Sequence, residues 1–138
     1  CASIHGNTKK AMLKFADILK EKGAENVKFF DLSRDDMAEA IAEAYQYSKL
    51  VVACPTYDGV LFPCMEDFLY HLKIKNFQNR KAAIVENGSW APMSGKLMKA
   101  YLEGMKNITL VEPTVTIKST MSEKNLEELN ALADALLA

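Results

Sequence analysis

Cysteine, histidine and tryptophan are scarce in this sequence, and each scarcity closes off a kind of chemistry. The cysteines, Cys1, Cys54 and Cys64, are odd in number and lack C-x-x-C spacing. Neither a disulfide framework nor a thiolate metal site is therefore expected, and the setting is expected to be reducing and cytoplasmic. Only His5 and His71 offer imidazole, and Trp90 is the one tryptophan. No apolar run approaches the ~20 residues of a membrane span, and no signal peptide is visible. A formal charge of -1 and a pI of about 6.2 leave no basic surface to attract nucleic acid or a membrane. Repeats, low-complexity tracts and Pro- or Gly-rich linkers are also missing, so residues 1–138 are expected to form one domain. With 49% hydrophobic and 25% charged residues, that domain has enough apolar side chain for a single core.

What is present is alternation. Residues 10–22 place Ala11, Leu13, Phe15, Ala16 and Leu19 near helical spacing and stop at Gly23, a natural C-cap. Residues 26–32 (NVKFFDL) read as a strand, and residues 35–47 as a helix entered through Ser33 as cap. The run at residues 50–54 (LVVAC) is continuously apolar, as in a strand buried on both faces. Pro63 suits the first position of a helix reaching about Ile74. A strand at 81–85, a helix at 95–105, a strand at 108–117 interrupted near Pro113 and a helix at 122–137 complete the series. The last helix opens at Ser122-Glu123-Lys124-Asn125, without the Glu or Gln at the third position that makes a capping box. Strands alternating with helices of this length predict an α/β fold, a doubly wound parallel sheet with helices on both faces.

In such a sheet ligands bind beyond the carboxyl ends of the strands, which turns three separated loops into one candidate site. The first loop, Ser3-Ile4-His5-Gly6-Asn7-Thr8, brings two hydroxyls, an amide and a glycine to the start of a helix, where backbone N–H groups can converge on an anion. It is neither a Walker A loop nor a dinucleotide fingerprint. The same residues also read as a plain strand-to-helix turn capped by Asn7 or Thr8. Pro55-Thr56-Tyr57-Asp58-Gly59 supplies a hydroxyl, an aromatic ring and a flexible peptide; Asn87-Gly88-Ser89-Trp90-Ala91 supplies amides, a hydroxyl and the tryptophan. A phosphate cradle beside two loop-borne aromatic rings describes a site for a planar phosphorylated cofactor, flavin mononucleotide (FMN).

These three motifs, with Val60-Leu61-Phe62-Pro63 following the second and Glu86 preceding the third, resemble the flavodoxin-like domain of the flavodiiron proteins, or A-type flavoproteins. The resemblance runs over the whole chain and implies the sheet order 2-1-3-4-5, for which flavodoxin is the standard example. It implies that Ser3–Thr8 holds the FMN phosphate, that the other two loops flank the isoalloxazine ring, and that the Asp58-Gly59 peptide is free to turn toward the ring. It also implies an electron-transfer role, with a reductase or rubredoxin-type donor and a di-iron-type acceptor domain as partners. The chain itself, with two histidines, is not expected to bind metal or to carry out catalysis at a di-iron centre. The apolar run that the family carries before Ala2-Ser3 does not precede it here. The first, central strand is thus expected to be truncated, with FMN held weakly or lost on purification and the gap filled by exchange between copies, a homo-oligomer, or by rearrangement of the sheet. Two further classes compete with electron transfer: a small flavin-dependent quinone reductase, and a cofactor-free interaction module of the same fold.

Overall fold

The computed structural model describes residues 1–3, 6–57, 60–88, 93–118 and 121–138. Along the chain run α1 (Asn7–Glu21), α2 (Met37–Ala44), β1 (Lys49–Tyr57), β2 (Val60–Leu61), α3 (Pro63–Ile74), β3 (Arg80–Asn87), α4 (Ser94–Glu103), β4 (Ile108–Leu110), β5 (Val115–Ile117) and α5 (Glu123–Leu137).

The sheet is built on β1 and β3, parallel partners from Lys49↔Lys81 to Pro55↔Asn87. Their middle residues are buried in succession, because both faces of the sheet are covered and neighbouring side chains go to opposite faces. Val52, Cys54, Ala82 and Ile84 face a core made with α3 and α4, and Ala53, Ala83 and Val85 face a second core made with α1 and α5. The two short strands β4 and β5 both run parallel to β3, so the outer strand is one strand broken in two around Glu112 and Pro113. That break is where proline removes a ladder donor.

Several boundaries differ from the sequence expectations. Helix α1 starts at Asn7 rather than Lys10, and its N-cap is Gly6 in a left-handed conformation (φ 83°), not Asn7 or Thr8. Its end follows the expected glycine stop: Gly23 (φ 103°) donates to the Lys20 carbonyl and Ala24 to that of Leu19, a Schellman closure. Helix α2 is entered through Asp36, whose carboxylate accepts from the Ala38 N–H at 3.2 Å; Ser33 is instead tied to Asp31. Residues 55–57, expected in a loop, continue β1 and turn back through β2 as an antiparallel hairpin, Thr56↔Leu61 and Tyr57↔Val60. The β-branched and aromatic side chains at 56 and 57 favour that extension. At α5 the reciprocal cap forms with Asn125: Ser122 N–H donates to Asn125 Oδ1 at 3.1 Å, and Asn125 N–H to Ser122 Oγ at 3.3 Å.

Residues 1–2 belong to no assigned strand, but their backbone is bonded on both sides. Ala2 N–H donates to the Ala53 carbonyl at 2.9 Å, while the Cys1 amine donates to Phe30 O and Cys1 O accepts from Leu32 N–H, both at 2.7 Å. This puts residues 1–2 between the 30–32 segment and β1, the expected 2-1-3-4-5 order. Further back, residues 26–29 form no regular element and have no ladder partner among the described residues, so the expected strand at 26–32 is paired only at its end.

Candidate functional site

Three chain segments leave the same edge of the sheet. Ser3 and Gly6 lead into α1, β1 ends at Tyr57, and β3 ends at Asn87 beside Pro55. Thr8, 2% exposed, accepts a hydrogen bond from Asn87 Nδ2 at 3.2 Å, which joins the first and third segments directly. Gly6 N–H donates to Ser3 Oγ at 2.9 Å, folding the start of the first loop back on itself.

The helix termini at this edge differ in one respect. Helix α4 is capped from both sides: Thr56 Oγ1 accepts from the N–H groups of Met93 (2.8 Å) and Ser94 (3.1 Å), and Glu86 Oε2 accepts from Gly95 N–H at 2.7 Å. A carboxylate already sits against its positive end. Helix α3 begins with Pro63, which has no N–H to offer. Helix α1 has no side-chain cap and no acidic residue in its first turn; the first helical bond is Lys10 N–H to Gly6 O at 2.9 Å. The N–H groups of Asn7, Thr8 and Lys9 therefore have no acceptor among the described residues. Of these three termini, α1 is the one with neither a capping side chain nor a proline in its first turn among the described residues.

Other groups at the edge serve the frame. Gly88 N–H is bonded to Ile117 O at 2.9 Å, and Ser94 Oγ donates to Cys54 O at 2.8 Å. Glu86 Oε1 accepts from Thr116 Oγ1 at 2.6 Å, so this one carboxylate ties β3, β5 and α4 together. Glu86, Ser94, Gly95 and Thr116 stand outside the sequence-predicted site, although Ser94-Gly95 before a helical run was a visible signal. Beside the first loop, Asp31 is buried and accepts from Ser33 N–H (3.1 Å) and Oγ (2.5 Å), with Lys9 Nζ at 3.6 Å. Burial works to raise the Asp31 pKa, but the Ser33 hydrogen bonds and the Lys9 charge outweigh it and hold the carboxyl below its ordinary value. Burial pushes the Cys54 thiol up to about 12.

Of the sequence-predicted site residues, Ser3, Gly6, Asn7, Thr8, Pro55, Thr56, Tyr57, Asn87 and Gly88 lie along this edge. Ile4, His5, Asp58, Gly59, Ser89, Trp90 and Ala91 fall outside the described residues. His71 is on α3, bonded to the Asp67 carbonyl at 2.8 Å and remote in sequence from these loops. Among the described residues no helix is long and apolar enough to cross a membrane, and no group of three His, Cys, Asp or Glu side chains is placed to hold a metal.

The fold is flavodoxin-like: a five-stranded, mostly parallel sheet between two layers of helices. No family model and no curated protein matches the sequence. Solved structures do. Rubredoxin oxygen:oxidoreductase from the anaerobe Desulfovibrio gigas superposes with a TM-score of 0.91 at 20% identity, over 98% of this chain and 33% of that one. The flavodiiron protein from Giardia intestinalis gives 0.86 at 22% identity, over 97% and 33%. Oxidised flavodoxin 1 from Bacillus cereus gives 0.85 at 18%, over 99% and 92%. The chain thus spans about a third of the first two proteins and nearly the whole of a flavodoxin.

Proposed function

We propose that this chain binds FMN and serves as an electron-transfer domain. The observation that carries the reading is the open first turn of α1, whose N–H groups lack acceptors among the described residues while the neighbouring α4 terminus is filled by Glu86 and Thr56. Those amides, Ser3 and the Thr8 hydroxyl fit a phosphate. Thr8 Oγ1 accepts from Asn87, which leaves its own O–H to donate to an anion. In this reading Ser3, Ile4, His5, Gly6, Asn7 and Thr8 hold the phosphate, and Pro55–Gly59 and Asn87–Ala91 flank the ring. The flavin, when bound, supplies the redox chemistry, so no side chain has to act as acid or base.

The role of carrier rather than complete reductase rests on likeness. The chain matches about a third of rubredoxin oxygen:oxidoreductase and of the Giardia flavodiiron protein, and nearly all of a flavodoxin. A reductase or rubredoxin-type donor and a di-iron-type acceptor domain are the partners this likeness favours. The free thiols Cys1, Cys54 and Cys64 suit a reducing, cytoplasmic setting.

Titration of the purified chain with FMN tests the reading. Saturable one-to-one binding is expected, with a shifted flavin absorbance band and quenched emission from Trp90, the only tryptophan. Failure of FMN to bind at tens of micromolar would leave a cofactor-free module of the same fold.

A further inference from the structure

A threonine hydroxyl can offer a ligand either its proton or a lone pair, and at Thr8 the choice falls to Asn87. Both side chains are buried, Thr8 at 2% and Asn87 at 7% exposure. Asn87 Nδ2 donates to Thr8 Oγ1 at 3.2 Å, between residues 79 positions apart in the chain. A hydroxyl has a single proton. With an amide proton already directed at Oγ1, the Thr8 O–H points away from Asn87, and no described residue accepts it.

The Asn87 end of this contact is held firmly. Asn87 is in register with Pro55 of β1 and Ile117 of β5, and the next N–H, that of Gly88, donates to Ile117 O at 2.9 Å. Asn87 opens the loop expected to flank the ring, yet its side chain is directed at Thr8. Ser3 is set in the same sense: its Oγ accepts from Gly6 N–H at 2.9 Å, which leaves its own proton to give. The N–H groups of Asn7, Thr8 and Lys9, without acceptors among the described residues, complete a group of donors. Such a group matches a ligand that only accepts. A phosphate monoester near neutral pH, with three acceptor oxygens and little residual proton, is of that kind, whereas an alcohol also needs an acceptor for its proton.

We infer that Asn87 is a positioning residue for the phosphate: by donating to Thr8 Oγ1 it holds the Thr8 hydroxyl as a donor, and so makes the first loop select FMN over riboflavin. This rests on the phosphate site proposed at the start of α1.

The readout is the ratio of FMN to riboflavin affinity, from flavin-fluorescence titration of the purified chain at neutral pH, with circular dichroism as the check on folding. Asn87→Asp puts an acceptor where the donor stood, which turns the Thr8 proton toward β3 and its lone pair toward the ligand. Asn87→Ala removes the donor and leaves the hydroxyl free to rotate. The ratio is expected to fall by about 30-fold or more for Asn87→Asp and by about three- to tenfold for Asn87→Ala. A carboxylate also repels phosphate through space, so Asn87→Asp is repeated on Thr8→Val, where no hydroxyl remains to be turned. There the fall should be at least about fivefold smaller than in the wild-type background. If Asn87→Asp fails to fold, Asn87→Ala alone decides by the same ratio. An unchanged ratio in Asn87→Ala, or equal falls from Asn87→Asp in the two backgrounds, would overturn the positioning role even where Thr8→Val still lowers the ratio. A ratio untouched by Thr8→Val would overturn the phosphate site itself, and this inference with it.

Discussion

Gly95 and Glu86 form a contact whose strength can be worked out and tested as a cycle. A Cβ added at Gly95 would lie 2.6 Å from Glu86 Oε2 and 2.8 Å from Cδ, well inside van der Waals contact. The carboxylate is the end of a flexible side chain, so Gly95→Ala need not break the backbone. It must, however, push Glu86 Oε2 off the Gly95 N–H (2.7 Å). Losing a hydrogen bond to a charged group costs about 1.5–3 kcal/mol, against a gain of up to about 1 kcal/mol for alanine over glycine in a helix. Gly95→Ala is therefore expected to destabilise by about 1–2 kcal/mol in urea unfolding followed by circular dichroism. Gly104→Ala is the control: its φ is -76° and its nearest neighbour, Tyr101 O, lies at 3.4 Å, so it should be neutral or slightly stabilising. With Glu86→Ala already in place, Gly95→Ala should cost nothing or stabilise by up to about 1 kcal/mol, a coupling of about 1–3 kcal/mol. Equal cost of Gly95→Ala in both backgrounds would refute the account of Glu86 as the tie between β3, β5 and α4.

Asp31, held below its ordinary pKa, contributes stability that is present above the unfolded-state value of about 3.9 and lost as pH falls through the folded-state value. Asp31→Asn should lower the urea midpoint at pH 7 and flatten its acid dependence; an unchanged acid limb would contradict the sign. Cys54, buried and with its thiol pushed up to about 12, should stay unmodified by iodoacetamide at pH 8 in the native chain, as peptide mass mapping would show.

Much of this architecture was legible because apolar spacing and chain breakers agreed. Pro63 opens α3 where its ring and missing N–H are harmless, and the run at 50–54 alternates between two cores as a doubly covered strand must. The entry of α1 was not legible: Asn7-Thr8-Lys9 lacks an apolar pattern, and its cap is a left-handed glycine rather than a hydroxyl. Asp36 displaced Ser33 at α2 because Asp31, two residues before it, captured the serine. At the site, spacing gave the three loops, but only coordinates show that Thr56 and Glu86 spend their acceptors on α4 while the first turn of α1 stays open. That distinction depends on contacts between residues nine to 38 apart, which local pattern does not encode.

The central claim, a phosphate held at the start of α1, is tested most directly by comparing FMN with riboflavin on Thr8→Val. Valine removes the hydroxyl donor and one hydrogen bond from Asn87. Any general damage to the site falls on both ligands, whereas loss of a phosphate contact falls on FMN alone. Fluorescence titration should show FMN weakened by about 1.5–3 kcal/mol, roughly 10- to 150-fold, with riboflavin scarcely changed. Equal weakening of the two ligands would contradict the claim.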